Sequence, residues 1–156
     1  MATAMKLHWS PKSPYVRKVM ICAHELGLLS RLELVRSVAA MRTPNPALMA
    51  DNPLSKIPTL VREDGSALFD SAVICEYLND LAGGSLFPPQ GEARWQALRW
   101  HAFGDGLRDA LILWRNERER EVPLQALLDA FELKTRASLQ MLDHETAVLR
   151  EGPVSL

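Results

Sequence analysis

The chain has 156 residues, of which 47% are hydrophobic and 24% are charged, and its formal net charge is -1. These values are ordinary for a globular protein and give no support for a nucleic-acid-binding protein, which needs a basic surface. No apolar run approaches the ~20 residues of a membrane-spanning helix. Cys22 and Cys75 stand alone, without a C-x-x-C or metal-ligand spacing. Such isolated cysteines predict no metal site and a reducing, cytoplasmic location.

The first part of the chain predicts a β-α-β unit. Met5–Trp9 is a short apolar run typical of a strand, and apolar residues then recur at helical spacing from Pro14. Ser13 suits the N-cap of that helix, and Gly27 suits its end. The alternating segment Leu32–Arg36 predicts a second strand, parallel to the first. The serine hydroxyl would then lie beside a helix N-terminus, a position that stabilises negative charge.

The next part predicts a loop followed by a hairpin. Residues 37–52 are broken by prolines, and we expect at most one helical turn there, around Pro46–Ala50. Residues 58–62 and 66–69 are short apolar runs that flank Asp64-Gly65. An Asp-Gly pair between two such runs is a strong signal of a β-hairpin.

Helical patterns account for the rest of the chain. A helix capped by Asp70 or Ser71 ends at a glycine pair, and residues 83–91 are rich in turn formers, as a linker is. Two long helices then follow, over about 92–120 and 123–148, and we expect them to pack antiparallel. The predicted organisation is therefore a mixed α/β domain over 1–82, a linker over 83–91 and an all-α domain over 92–156.

Three local motifs resemble those of the glutathione transferase family, in the same order along the chain. They are Ser13-Pro14-Tyr15-Val16-Arg17, the Asn-Pro-Leu-Ser-Lys-Ile-Pro segment at 52–58, and Asp-Ser-Ala-Val-Ile-Cys-Glu-Tyr-Leu at 70–78. The first motif is similar to that of bacterial, serine-type members. The resemblance implies an α/β thioredoxin-like N-terminal domain followed by a helical domain. It also implies a homodimer with a role in detoxification.

The family activates the thiol of glutathione, its co-substrate, for attack on a small hydrophobic electrophile. The resemblance implies that Ser13 donates a hydrogen bond to the glutathione thiolate, with Ser10 in the same loop as the alternative donor. The other interpretation of Ser13 is a helix cap and nothing more. Neither Cys22 nor Cys75 falls at the donor position, which disfavours thiol–disulfide exchange.

The other two motifs imply contacts to glutathione itself. Pro58 matches the cis-proline of the family, so Ile57 would bind the cysteinyl part through its main chain. Lys56 would bind the glycyl carboxylate, unless it is an ordinary surface lysine. Ser71 would hold the γ-glutamyl carboxylate at a helix start, and Asp70 would pair with the γ-glutamyl ammonium. The family often has the longer Glu at that place, and as plain helix caps both residues would be unremarkable.

The electrophile would bind between the loop after the first strand and the first long helix. The candidate lining residues share aromatic or cationic character, and they are Tyr15, Trp100, Phe103, Arg108 and Trp114. For each aromatic residue of the helix, packing in an ordinary core is the competing interpretation.

The helical half is shorter than in the family. Residues 151–156 resemble the lead-in to a further helix with Ser155 as its cap, so we expect a truncated helical domain whose exposed apolar surface a dimer partner would cover. Alternatives to a transferase are a non-catalytic glutathione- or protein-binding module and a glutathione-dependent isomerase or dehalogenase. We expect neither nucleic acid nor a membrane as a partner.

Overall fold

The computed structural model describes residues 4–84 and 86–151, and the expected cap at Ser155 lies outside them. The described residues form two units, which divide between Pro89 and Gln90. The order of the main elements is the predicted one. They are β1 (Met5–Trp9), α1 (Pro14–Glu25), a 3₁₀ turn (Leu29–Arg31), β2 (Leu32–Arg36), α2 (Pro46–Met49), β3 (Thr59–Val61), β4 (Ala67–Leu68), α3 (Ser71–Ala82), α4 (Gly91–Arg118) and α5 (Gln125–Glu151).

The four strands of the first unit form one sheet in the order β2–β1–β3–β4. As predicted, β2 is parallel to β1, with Trp9 opposite Arg36, and β3 and β4 form an antiparallel hairpin. β3 is also antiparallel to β1, with His8 opposite Thr59. The last residues of β1, β2 and β4 therefore lie at the same end of the sheet as the first residues of β3.

The core of the first unit combines apolar side chains of the sheet with those of α1 and α3. These fully buried residues include Met5, Leu7, Val19, Cys22, Leu60, Ile74 and Leu78. Side chains alternate between the two faces of a strand, so Lys6 and His8 of β1 point to the face opposite Met5 and Leu7. Prediction of β1 as a simple apolar run is therefore incomplete, because one of its two faces is polar.

The ends of the elements show the local chemistry that sets them. Gly27 follows α1 with a φ of 67°, a conformation that favours glycine after a helix. The N-cap of α3 is Asp70, which resolves the choice between Asp70 and Ser71. Within the predicted linker, Leu86 and Phe87 are buried in the core of the first unit, and Gly91 already belongs to α4.

The second unit is an antiparallel pair of helices, as predicted. Arg99 near the start of α4 forms an ion pair of 3.0 Å with Glu145 near the end of α5. At the opposite end of the pair, the buried Glu117 accepts a hydrogen bond of 2.7 Å from the main-chain N–H of Leu124. This N–H lowers the pKa of Glu117. Among the described helices, none is long and apolar enough to cross a membrane.

Candidate functional site

Ser13 is the N-cap of α1, as its sequence context predicts. Its Oγ accepts a hydrogen bond of 3.2 Å from the main-chain N–H of Val16, and Pro14 occupies the first turn of the helix. A hydroxyl that accepts one hydrogen bond keeps its own proton for donation. Ser13 therefore presents an O–H donor at the positive end of a 12-residue helix whose first turn contains no acidic residue.

Ser10 lies in the same turn but in a different environment. It is buried, and its Oγ accepts a hydrogen bond of 2.7 Å from the Arg36 guanidinium. The same guanidinium lies 5.8 Å from the centre of the Trp9 ring. Arg36 is not among the predicted site residues, since only the pairing of β1 with β2 brings it next to Trp9 and Ser10.

The loop at 52–58 is held together by the buried side chain of Asn52, which is 1% exposed. Asn52 Nδ2 donates to Thr59 Oγ1 at 2.9 Å, and Asn52 Oδ1 accepts from the N–H of Leu54 at 3.0 Å. Thr59 Oγ1 in turn donates to the main-chain carbonyl of Lys56 at 2.8 Å. Asn52, the first residue of the loop, is thus joined to Thr59, the residue that follows the loop, which gives the loop a defined shape.

The last three residues of this loop differ in their exposure to solvent. Lys56 is exposed, Ile57 is half-buried and Pro58 is buried. The peptide bond between Ile57 and Pro58 is cis. Within residues 4–84 and 86–151, neither the N–H nor the C=O of Ile57 has a hydrogen-bond partner. Both main-chain groups of Ile57 are therefore available to an extended ligand that lies along the loop.

The start of α3 provides a second helix N-terminus. Asp70 is exposed, and its Oδ1 accepts a hydrogen bond of 3.0 Å from the N–H of Ala72. Ser71, the first residue of the helix, is buried. Its N–H belongs to the first turn, where helix N–H groups have no partner within the helix. This end of α3 therefore offers both a carboxylate and main-chain donors to a ligand.

The strand register brings these three segments to one end of the sheet. The turn with Ser10 and Ser13 follows the last residue of β1, and the 52–58 loop leads directly into β3, which is antiparallel to β1. One residue separates Asp70 from the end of β4, and β4 is antiparallel to β3. The three motifs that are separate in the sequence are therefore neighbours in the fold.

The residues predicted to contact the electrophile belong to both units. Tyr15 is half-buried in the first turn of α1, whereas the other four belong to α4 in the second unit. Trp100 and Phe103 do contact each other, edge to face, with ring centres 5.7 Å apart. Trp114 lies about 21 Å further along the helix than Trp100, at about 1.5 Å per residue. A single small electrophile cannot contact both tryptophans.

The two other predicted contacts on α4, Arg108 and Trp114, have different surroundings. Arg108 forms an ion pair with Asp105, one turn earlier on the same helix. Trp114 lines an open surface depression of about 450 Å³, together with Leu111 and Arg115. The aromatic and cationic residues of α4 are thus distributed along the helix.

The polar face of β1 carries a network that sequence analysis did not predict. His8 Nε2 lies 2.7 Å from Asp51 Oδ2, and Lys6 Nζ donates to the same oxygen at 2.6 Å. His8 Nδ1 lies 2.7 Å from the hydroxyl of Ser37. The hydrogen bonds from Lys6 and His8 lower the pKa of Asp51. The alternation Lys6-Leu7-His8 signals a polar face, but not its partner more than 40 residues away.

Ser37, His8 and Asp51 have the residue types of a nucleophile–base–acid relay, yet they do not form a hydrolytic site. Ser37 is 5% exposed and His8 is 4% exposed, so a substrate cannot reach the hydroxyl. Among the described residues, no group of three or more His, Cys, Asp or Glu side chains is placed to hold a metal ion. The network therefore acts within the fold.

Comparison with known proteins gives the same family. Residues 12–81 match the family described as "Glutathione S-transferase, N-terminal domain". A solved glutathione transferase family member from Pseudomonas fluorescens Pf-5, with bound glutathione, is 41% identical to this chain. Their structures superpose with a TM-score of 0.87 over 91% of this chain and 71% of that one.

Two further relatives are longer proteins. An uncharacterised protein of Escherichia coli described as GST-like, YibF, is 31% identical over 123 residues, which are 78% of this chain and 59% of that protein. Elongation factor 1-gamma of Danio rerio is 42% identical over 104 residues, which are 64% of this chain but only 22% of that protein. The sequence motifs, the thioredoxin-like sheet with its helical second unit, and these similarities agree, and the chain belongs to the glutathione transferase family.

Proposed function

We propose that this chain binds glutathione and activates its thiol for attack on a small electrophile. The observation that carries the proposal is the meeting of three motifs at one end of the sheet. Two helix N-termini and the main chain of Ile57 are offered there to a polar, extended ligand. The bound glutathione of the Pseudomonas relative supports the choice of ligand.

The hydroxyl of Ser13 and the start of α1 are sufficient in magnitude for thiol activation. A free thiol has a pKa of about 8.5, so lowering it by ~2 units needs about 2.7 kcal/mol of preferential thiolate stabilisation. A hydrogen bond to a charged acceptor contributes ~1.5–3 kcal/mol, and a helix N-terminus adds ~0.3–1 kcal/mol. We place the thiolate at Ser13 before Ser10, since Ser10 is buried and already bonded to Arg36.

The remaining contacts follow the polarity of glutathione. The main chain of Ile57 pairs with the cysteinyl part, and the exposed ammonium of Lys56 binds the glycyl carboxylate. The N–H of Ser71 receives the γ-glutamyl carboxylate, because a helix start stabilises an anion. Asp70 uses one oxygen as the cap of α3 and has the other available for the γ-glutamyl ammonium.

The test compares Ser13→Gly with Ser13→Ala in glutathione titrations and in turnover of a reactive aryl halide. Glycine caps a helix to within a few tenths of a kcal/mol of serine, so Ser13→Gly removes the hydroxyl with little loss of helix stability. We expect both variants to bind glutathione, while the pKa of the bound thiol, read from the ultraviolet absorbance of the thiolate, returns toward 8.5. An unchanged thiol pKa in both variants would assign the thiolate to another donor, with Ser10→Ala as the next variant.

A non-catalytic binding module is the second candidate, and the similarity to elongation factor 1-gamma favours it. That protein shares the matched region as a small part of a longer chain. For a binding module we expect saturable binding of glutathione, or of a protein partner, without turnover of any electrophile. A glutathione-dependent isomerase or dehalogenase would use the same first unit and differ in the electrophile that it accepts.

The cellular setting completes the proposal. Both cysteines are buried and neither forms a disulfide, which suits a reducing cytoplasm. We propose a homodimer with a role in detoxification, as in the family that the motifs resemble. Sedimentation of the purified chain over a range of concentrations tests the dimer directly.

A further inference from the structure

We propose that His8 is a positioning residue for the glutathione-binding loop. By holding Asp51 against β1, His8 fixes the 52–58 loop in the conformation that presents Lys56 and the main chain of Ile57. This inference rests on the proposed function, and it adds a residue that does not itself touch the ligand.

His8 contacts the two residues that flank the loop. Its main chain lies opposite Thr59 in the β1–β3 ladder, which fixes the position where the loop ends. Its side chain bonds to Asp51, the residue immediately before the loop, with Nε2 and Oδ2 2.7 Å apart. An ionised carboxylate can only accept, so Nε2 carries the proton of this hydrogen bond. A single residue of β1 thus determines the separation of the two ends.

The loop has little freedom once its ends are fixed. Asn52 follows Asp51 directly. It accepts from the N–H of Leu54 within the loop at 3.0 Å and donates to Thr59 Oγ1, just after the loop, at 2.9 Å. A displacement of Asp51 therefore moves Asn52 and with it the internal hydrogen bonds of the loop. The carbonyl of Lys56 accepts from Asn52 and from Thr59, so the displacement reaches the residues proposed to hold glutathione.

The contact between His8 and Asp51 holds both side chains in one position. His8 is almost fully buried, and its second ring nitrogen is held by Ser37 at 2.7 Å, which fixes the plane of the ring. A buried polar group whose partners all have good geometry favours one conformation over its alternatives. Lys6 shares the Asp51 oxygen from the exposed side and keeps the carboxylate ionised.

Loss of the hydrogen bond between His8 and Asp51 would lower the fraction of molecules whose 52–58 loop has the conformation that binds glutathione. The apparent dissociation constant rises in inverse proportion to that fraction, while chemistry in the bound complex is unchanged. If one molecule in ten keeps the competent loop, the Kd and KM for glutathione rise about tenfold. We expect this result for His8→Leu, with kcat at saturating glutathione within about twofold of the wild-type value.

The experiment measures glutathione binding by calorimetry and the KM and kcat of turnover for His8→Leu, His8→Gln and Asp51→Asn. The amide nitrogen of glutamine can replace Nε2 as the donor to Asp51, so His8→Gln is expected to recover most of the affinity. Asp51→Asn keeps the volume of the side chain but loses its charge. The matched control is Asp64→Asn, an aspartate of the β3–β4 turn at the opposite end of the sheet.

The possible outcomes separate the two proposals. If wild-type protein does not bind glutathione, the proposed function fails and the role of His8 fails with it. If wild-type protein binds and both His8→Leu and Asp51→Asn bind equally well, the positioning role is refuted and the proposed function stands. A KM increase confined to His8→Leu and Asp51→Asn, with recovery in His8→Gln, supports it. Should His8→Leu fail to fold, Asp51→Asn and His8→Gln decide the question.

Discussion

Asn52 provides the sharpest test of how the 52–58 loop is stabilised. Its side chain is 1% exposed and makes two hydrogen bonds of 2.9 and 3.0 Å and a third of 3.3 Å. At about 1 kcal/mol for each of the first two and ~0.5 kcal/mol for the longer one, Asn52→Ala loses ~2.5 kcal/mol. The small void left by the amide brings the expected loss to about 3 kcal/mol.

Asn45→Ala is a matched control, because Asn45 also makes three hydrogen bonds through its side chain. It caps α2 by accepting from the N–H groups of Ala47 and Leu48, at 3.1 and 3.3 Å, and donates to Val38 at 3.0 Å. Asn45 is only half-buried, and water can replace these bonds in the variant. The expected loss is therefore about 1 kcal/mol, the usual cost of removing an N-cap.

Urea unfolding, followed by both circular dichroism and tryptophan fluorescence, measures the difference. With a slope of about 2 kcal/mol per molar urea, the midpoint should fall by ~1.5 M for Asn52→Ala and by ~0.5 M for Asn45→Ala. Coincident transitions from the two probes justify the two-state treatment. Equal shifts for the two variants would refute the reasoning, since burial would then not determine the value of these hydrogen bonds.

Three further predictions concern charged groups. The pKa of Asp51 is lowered in the folded protein, so the stabilising effect of its carboxylate is present above about pH 4 and is lost as the pH falls through the folded pKa. The difference in unfolding midpoint between wild type and Asp51→Asn should therefore disappear as the pH is lowered from 5 to 2. The pKa of Glu117 is lowered by a main-chain N–H before α5, so Glu117→Gln should lower the thermal midpoint at pH 7 and have less effect at pH 3. Arg36→Met removes the hydrogen bond to Ser10; turnover should change by less than about twofold if Ser13 is the thiolate donor, and a larger loss would favour Ser10.

The sequence predicted those parts of the fold that depend on neighbours along the chain. Ser13 and Gly27 mark the two ends of α1 because capping depends on a few adjacent residues. The Asp64-Gly65 pair likewise identified the hairpin, although β3 and β4 are only three and two residues long. β3 starts immediately after Pro58, whose ring nitrogen cannot donate to a strand ladder.

The sequence did not predict the features that depend on strand pairing. Arg36 reaches Ser10 only because β2 lies beside β1, and His8 reaches Asp51 across more than 40 residues. Arg36 and His8 are ordinary polar residues of a strand, and the sequence does not distinguish them from strand residues that face solvent. Helical spacing likewise shows which residues share a face but not which of them bind one ligand: Trp100 and Trp114 share a face of α4 about 21 Å apart.

The two helix N-termini at the end of the sheet differ in charge, and this difference favours one orientation of glutathione. α1 is capped by the neutral Ser13, so its positive end is left for a full negative charge such as a thiolate. α3 is capped by the carboxylate of Asp70, which offsets part of the positive potential of that helix. A ligand group that carries both an ammonium and a carboxylate suits such a site better than a lone anion does. The γ-glutamyl end of glutathione is such a group, so the charges of the two caps agree with the proposed orientation, in which this end lies at α3 and the thiol at α1.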